Sequence, residues 1–299
     1  MQINSNISNS NSNSNRVVVI TGYSKGIGKS IAEEFAKVGY CVLINSLDEQ
    51  ELKDTVDEIS NVIDDRNRIG FVTGDISQQH FSELLMEEAI KRFGGVDTLI
   101  NNGKITSGPV NVSDSTIRTE TNLQQTPYSV MEEYEFVNPK TKGIYFCVKA
   151  AVKRMLSENN IKNGCSIINI SSCQGCLTQS AVNSYTERKF GVDPYVDSIA
   201  NIEMLTKTVA LELADKGIRV NGIIPGFVYN DINKEINEDE QKRNDKKEGI
   251  PIKRIAKPQE ISKVALFLAS EDASYVTGAM IPVDGGLALS RPNYFVEVI

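Results

Sequence analysis

Residues 16–40 read RVVVITGYSKGIGKSIAEEFAKVGY, and the fold follows from how this stretch divides. Arg16–Ile20 is a short β-branched run, which predicts a buried strand. Lys29–Val38 carries apolar residues at helical spacing and stops at Gly39, a residue suited to the left-handed end of a helix. Between them lies Thr21-Gly-Tyr-Ser-Lys-Gly-Ile-Gly28. Gly22 permits a tight turn, Gly26 lets backbone approach a pyrophosphate, and Gly28 lets the helix lie close on the sheet. The helix start then offers free N–H groups and a partial positive charge to phosphate. A strand, a Gly-rich turn and a helix in that order predict a nucleotide site at the head of a domain.

The same alternation continues downstream. Strands are expected at Cys41–Asn45, Ile69–Thr73, Val96–Asn101, Ser166–Ile170, Ile218–Ile224 and Ala279–Val283. Helices are expected at Asp48–Ile63, Phe81–Phe93, from Val137 or later to Leu156, after the loop that follows Ser172, and at Pro258–Ala269. Apolar strands separated by amphipathic helices predict an α/β fold: a doubly wound parallel sheet in three layers, forming a single domain over 16–299. Residues 104–130 are polar and without period, a surface insertion, and Asp231–Gly249 is charged and reads as mobile. The first 15 residues are almost all Asn and Ser around a few apolar side chains, the composition of a disordered tail.

Composition narrows the function classes. A net charge of −7 argues against nucleic acid or an anionic membrane as partner. No apolar run reaches the ~20 residues of a membrane-spanning helix, and the N-terminus lacks the pattern of a secretory signal. A cytoplasmic protein acting on a small molecule is the expectation. Cys41 and Cys147 sit in apolar stretches as core filler. Cys173-Gln-Gly-Cys176 has metal or redox spacing, but the sole histidine, His80, lies far away in sequence, so reduced loop cysteines and no metal are preferred.

With these motifs in order, the chain resembles the short-chain dehydrogenase/reductase family over nearly all of 16–290. Thr21, Gly22, Gly26 and Gly28 match its TGxxxGxG. Gly74-Asp75-Ile76 resembles its adenine-contacting acid, and Leu99-Ile-Asn-Asn-Gly-Lys104 its LVNNAG. Asn169-Ile-Ser-Ser172 resembles its catalytic-serine strand. Arg219-Val-Asn221 and Pro225-Gly226 resemble the segment bordering the nicotinamide, and Val276-Thr-Gly278 and Asp284-Gly-Gly286 its closing strand. The flavour of Ile255-Ala-Lys-Pro258 and Ser290-Arg-Pro is that of members described as glucose dehydrogenases and 3-oxoacyl reductases. The resemblance implies a Rossmann fold, an NAD or NADP coenzyme and a homodimer or homotetramer. It also implies hydride transfer between nicotinamide and a secondary alcohol or ketone. Coenzyme would be held by Gly22, Ser24, Lys25, Gly26, Ile27, Gly28, Asp75, Ile76 and Asn102, together with Tyr185 and Lys189. The end of strand two carries Ser46 where an acid would bind a free ribose 2′-OH, and Lys25 can pair a 2′-phosphate, so NADP is expected over NAD.

In this family, by resemblance, a serine polarises the substrate oxygen, a tyrosine moves the proton and a lysine lowers the tyrosine pKa. Ser172, Tyr185 and Lys189 fit that triad, with Tyr185 and Lys189 at the YxxxK spacing that shares one helix face. A second frame competes. Tyr195–Lys207 aligns without a gap to the helix that normally begins at the tyrosine, and Asp193-Pro194 makes a good helix start. In that frame Ile199 takes the lysine position, and the chain becomes a coenzyme-binding protein with little catalysis. Lys104 stands where the family has a glycine, and Lys140 where it has an asparagine, with Asn138 two residues away.

Overall fold

In a computed structural model the described residues are 16–22, 25–103, 139–157, 164–173, 194–229 and 240–290, with backbone alone at 139–140, 194–198, 242–243 and 245–246. Seven strands form one wholly parallel sheet in the order β3-β2-β1-β4-β5-β6-β7. They are β1 (Val17–Thr21), β2 (Cys41–Ser46), β3 (Ile69–Thr73), β4 (Thr98–Asn101), β5 (Ser166–Ile170), β6 (Arg219–Pro225) and β7 (Met280–Val283). Among the described residues the α-helices are α1 (Ile27–Lys37), α2 (Glu49–Ile63), α3 (Gln79–Phe93), α4 (Pro139–Met155), α5 (Pro194–Leu213), α6 (Glu240–Glu248) and α7 (Pro258–Ala269). This is the doubly wound, three-layer arrangement expected from the alternation.

Strand β1 shows why two helical layers are needed. Successive side chains of a strand point to opposite faces. Val17 and Val19 join a core with residues of α3, α4 and α5, whereas Val18 and Ile20 join a second core with residues of α1, α2 and α7. Every residue of β1 is buried, and each such aliphatic side chain contributes about 1.5–3 kcal/mol relative to exposure. At the N-terminal edge of the sheet, the Val17 N–H donates to Asp97 Oδ2 at 2.7 Å, while Arg16 Nη2 donates to the Gly164 carbonyl at 3.0 Å.

Helix ends follow local chemistry. Asp48 caps α2 by accepting from the Glu51 N–H at 3.0 Å. Gly94, at φ 91°, ends α3, and its N–H donates to the Ile90 carbonyl at 2.8 Å. The segment read as charged and mobile contains α6, EQKRNDKKE. No apolar period marks it, because its helicity rests on good polar helix formers rather than a buried stripe. The expected tail, the 104–130 insertion and the Cys173–Ser184 loop beyond Cys173 lie outside the described residues.

Candidate active site

The sheet order reverses between β1 and β4, since β2 and β3 lie on one side and β4–β7 on the other. The crevice beyond the C-terminal ends of these strands is where an open α/β sheet binds ligands. The Gly-rich turn leaves β1 there. Gly22 has φ 57° and Gly26 φ 96°, conformations that L side chains rarely adopt. A Cβ on Gly22 would lie 2.2 Å from Gly103 Cα and 2.6 Å from Gly103 N. The turn therefore rests directly on the backbone after β4. Asn102 clamps it: its N–H donates to the Thr21 carbonyl at 3.2 Å and its Nδ2 to the Gly22 carbonyl at 3.4 Å. Gly26 takes the N-cap position of α1 and has no side chain to cap the first-turn N–H groups, and that turn carries no acid. Gly28 is buried, Ile27 half-buried and Lys25 exposed at the rim.

The far side of this crevice is built from β2 and β3. Asp75 is exposed, and its Oδ1 accepts from the Ser77 N–H at 2.9 Å, which shapes the turn after β3. Ile76 packs on α4, where a Cβ at Gly143 would lie 2.8 Å from Ile76 Cγ1. Buried Asn45 was not singled out from sequence, yet its Nδ2 donates to the carbonyls of Val72 and Gly74, both at 3.0 Å. It holds the chain that carries Asp75. Ser46 Oγ accepts from the Asp48 N–H at 3.3 Å, so the end of β2 presents no acid before Asp48, which caps α2.

The other wall is β5 and β6. Pairing continues past β5: Ser171 N–H donates to the Ile223 carbonyl at 2.8 Å and Cys173 N–H to the Pro225 carbonyl at 3.0 Å. Ser172 is thus held between two backbone hydrogen bonds at the crevice, half-buried. Cys173 is buried with Ile224, Ile250, Ile255 and Leu287. The excursion from β6 to α7 is stapled at its base, where Tyr229 N–H donates to the Ala256 carbonyl and Ala256 N–H to the Phe227 carbonyl, both at 2.9 Å. Gly226 lies against Asp284, whose carboxylate accepts from the N–H groups of Gly286 at 2.9 Å and Ala288 at 2.8 Å.

One expected contact is corrected. Arg219 and Asn221 do not border the coenzyme crevice. Arg219 begins β6 at the opposite edge of the sheet, and its guanidinium donates to the carbonyls of Leu268 at 2.6 Å and Ser270 at 3.1 Å. Burial lowers its pKa from the usual arginine range. Asn221 Nδ2 donates to the Val276 carbonyl at 2.8 Å, and its Oδ1 accepts from the Ala279 N–H at 3.0 Å. Both side chains tie β6 to its neighbours, and only the far end of the strand, Pro225–Gly226, reaches the crevice.

Helix α5 begins at Pro194, so position 195 falls in its first turn and Ile199 one turn later. Ile199 is 1% exposed, on the same buried stripe as Ile202, Thr206 and Val209. Tyr185 and Lys189, with Ser24, Lys104, Asn138 and Cys176, lie outside the described residues, and Lys140 is placed by backbone only, in the first turn of α4. Among the described residues no group of three His, Cys, Asp or Glu could hold a metal ion. Nor is any helix there long and apolar enough to cross a membrane.

A family model described as enoyl-(acyl carrier protein) reductase matches residues 22–288. The chain belongs to the short-chain dehydrogenase/reductase family. It is 32% identical to glucose 1-dehydrogenase 2 of Bacillus subtilis, over 92% of this chain and 95% of that protein. It is 30% identical to the 3-oxoacyl-[acyl-carrier-protein] reductase FabG of Staphylococcus epidermidis, over 91% of this chain and 99% of that one. Among solved structures, the Pseudomonas aeruginosa RhlG/NADP active-site complex superimposes with a TM-score of 0.70 at 25% identity, covering 92% of this chain and 97% of that one. The chain is therefore a member of an oxidoreductase family whose relatives here include sugar dehydrogenases and 3-oxoacyl reductases.

Proposed function

We propose that this protein transfers hydride between a nicotinamide coenzyme, NADP in preference to NAD, and a secondary alcohol or ketone. The observation that carries the reading is the cradle at the switch point: Gly22 pressed on Gly103, and an uncapped α1 start following the C-terminal end of β1. A bound coenzyme supplies or accepts the hydride. The chain's own residues do the rest. The α1 N–H groups and helix dipole take the pyrophosphate, Lys25 pairs a 2′-phosphate that the Ser46 position does not repel, and Asp75 borders the adenine. Ser172 Oγ donates to the substrate oxygen. Tyr185 moves the proton, and Lys189 lowers its pKa. A cation about 4 Å away at an effective dielectric of about 20 contributes up to ~4 kcal/mol, or about three pKa units. Substrates are sought first among sugars and 3-oxoacyl thioesters, the compounds named for the two relatives. We further propose a cytoplasmic homodimer or homotetramer, for which α5 offers the exposed Met204 and Leu211, at 62% and 83%.

Ile199 favours a second reading, a coenzyme-binding protein with little turnover. A buried aliphatic residue one turn after Tyr195 gives that phenol no cation from its own helix. The two readings separate in one assay. The protein is incubated with NADPH or NADH and a ketone panel that includes a 3-oxoacyl thioester, with sugars and the oxidised coenzymes run in the reverse direction. Coenzyme absorbance and fluorescence are followed together. Turnover that Ser172→Ala removes supports the oxidoreductase, whereas tight binding without turnover sinks it and leaves the binding protein.

A further inference from the structure

A head-to-tail row of side-chain hydrogen bonds crosses the sheet just below the crevice. Thr21 Oγ1 donates to Asn101 Oδ1 at 3.2 Å, and Asn101 Nδ2 donates to Asn169 Oδ1 at 2.8 Å. Asn169 Nδ2 donates to Thr206 Oγ1 at 2.9 Å, and Thr206 Oγ1 donates to the Ile202 carbonyl at 2.7 Å. All four side chains are fully buried. Every donor points the same way, from β1 through β4 and β5 into α5, so each bond polarises the next.

The row connects the two halves of the site. Thr21 is the residue before the glycine cradle, and Asn101 is next to the Asn102 clamp. Asn169 lies three residues before Ser172 on β5. Thr206 lies on the sheet-facing stripe of α5. Because β5 and β6 are parallel, the connecting α5 runs back against them, with its start at the crevice. With Thr206 pinned level with Asn169, Ile199 stands seven residues up the helix, about 10 Å at a rise of about 1.5 Å per residue. Ser172 stands three residues up the strand, also about 10 Å at about 3.3 Å per residue. The bond thus sets both the rotation and the height of α5 relative to Ser172. In sequence, Tyr185 and Lys189 precede Pro194 and Tyr195 follows it, so under the oxidoreductase reading the proton-transfer residues adjoin or begin α5.

We propose that Asn169 and Thr206 are positioning residues, and that this row holds α5 in register with Ser172 and the coenzyme turn. The kinetic arm of the test rests on the oxidoreductase reading. Thr206→Val keeps the shape and removes the hydroxyl. It is expected to lower kcat about 100-fold, the cost of roughly 1 Å of misplacement, with coenzyme affinity by fluorescence within threefold of wild type. Thr206→Ser, which restores the hydroxyl, is expected to recover kcat. A folded Thr206→Val protein with wild-type kcat would overturn the proposal, as would equal losses in the Val and Ser variants. The second arm needs neither activity nor a variant. In the wild-type protein, amide exchange of α5 residues Ile199–Thr206 should proceed as slowly as that of β5. If this part of α5 opens while β5 stays protected, the row does not hold the helix and the proposal fails. Should the wild type turn over no substrate, the oxidoreductase reading falls, and the exchange measurement still decides the row.

Discussion

Replacing Gly22 by alanine tests the coenzyme cradle at its tightest point. The new Cβ would lie 2.2 Å from Gly103 Cα, 2.6 Å from Gly103 N and 3.0 Å from the Asn102 carbonyl carbon. A normal carbon contact is about 3.5 Å, so the two backbones must part by about 1.3 Å. All three clashing atoms are backbone, and no flexible side chain can swing aside. Alanine at φ 57° adds about 1–2 kcal/mol of strain. Separation also breaks the two Asn102 bonds to Thr21 and Gly22, each worth about 0.5–1.5 kcal/mol. These effects predict a loss of about 2–5 kcal/mol, measured by urea unfolding. Because the turn itself moves, NADPH affinity read by fluorescence should fall about 100-fold or more. Gly94→Ala is the control. Gly94 also has a positive φ, 91°, but a Cβ there meets nothing within 4 Å. That variant should lose only the strain, about 1–2 kcal/mol, and bind coenzyme as wild type does. If Gly22→Ala binds NADPH within threefold of wild type, the turn is not the cradle and the coenzyme assignment collapses.

Three further predictions bear on the site and on stability. Tyr185→Phe should lower kcat by about 10²–10⁴-fold, the usual contribution of a positioned general acid–base, while Tyr195→Phe changes it less than tenfold; steady-state kinetics showing the reverse would move the proton chemistry to Tyr195. Ser46→Asp should exchange NADPH preference for NADH by adding an acceptor for the 2′-OH and repelling a 2′-phosphate, and a titration in which NADPH still binds more tightly would refute Ser46 as the determinant. Burial pushes the thiols of Cys147 and Cys165 up to about 12. A raised folded-state pKa means that stability is intact below the ordinary thiol range near ~9 and falls as pH rises towards 12. Each thiol should cost about 1.4 kcal/mol per pH unit in that window, so denaturant melts at pH 8, 9 and 10 should flatten in a Cys147→Ala/Cys165→Ala protein.

The sheet was legible wherever burial on both faces writes itself as an unbroken apolar run. The readings of Ile69–Thr73, Ser166–Ile170 and Pro258–Ala269 coincide with β3, β5 and α7. Boundaries moved where a hydrogen bond, not a side chain, decides them. Val96 and Asp97 look like strand, but regular pairing of β4 begins at Thr98, while Asp97 turns its carboxylate to the Val17 N–H. Helix α6 left no signal because it has no apolar face. Asn45, Asn169 and Thr206 were opaque for a different reason. A buried amide or hydroxyl has no local pattern, and its meaning comes from partners 27, 29, 37 and 68 residues away. Arg219 shows the opposite error, in which a motif residue next to a site in sequence lies at the far end of its strand in space.

The two tyrosine frames make different physical demands on the chain before α5. Tyr195 follows Tyr185 by ten positions. Ten residues of α-helix add about 15 Å and just under three turns, so an upward extension of α5 would carry Tyr185 past Ser172 and off the sheet-facing stripe. Tyr185 and Lys189 can therefore serve the site only if the chain before Pro194 turns back towards the strand ends. Chain length permits this. Lys189 is five residues from Pro194, a span of up to about 17 Å when extended, and a helix start with Pro at the first position is where such a reversal is tolerated. Between Cys173 and Pro194 the only cations are Arg188 and Lys189, whereas Ile199, on the buried stripe of α5, is uncharged. Under the proposed oxidoreductase reading, Lys189 in the segment before the helix supplies the cation that makes the phenol a competent base at neutral pH. Lys189→Met should consequently abolish turnover at pH 7 and regain part of it as the pH approaches 10, where the phenol ionises unaided. A pH-rate profile unchanged from wild type would remove Lys189 from the chemistry.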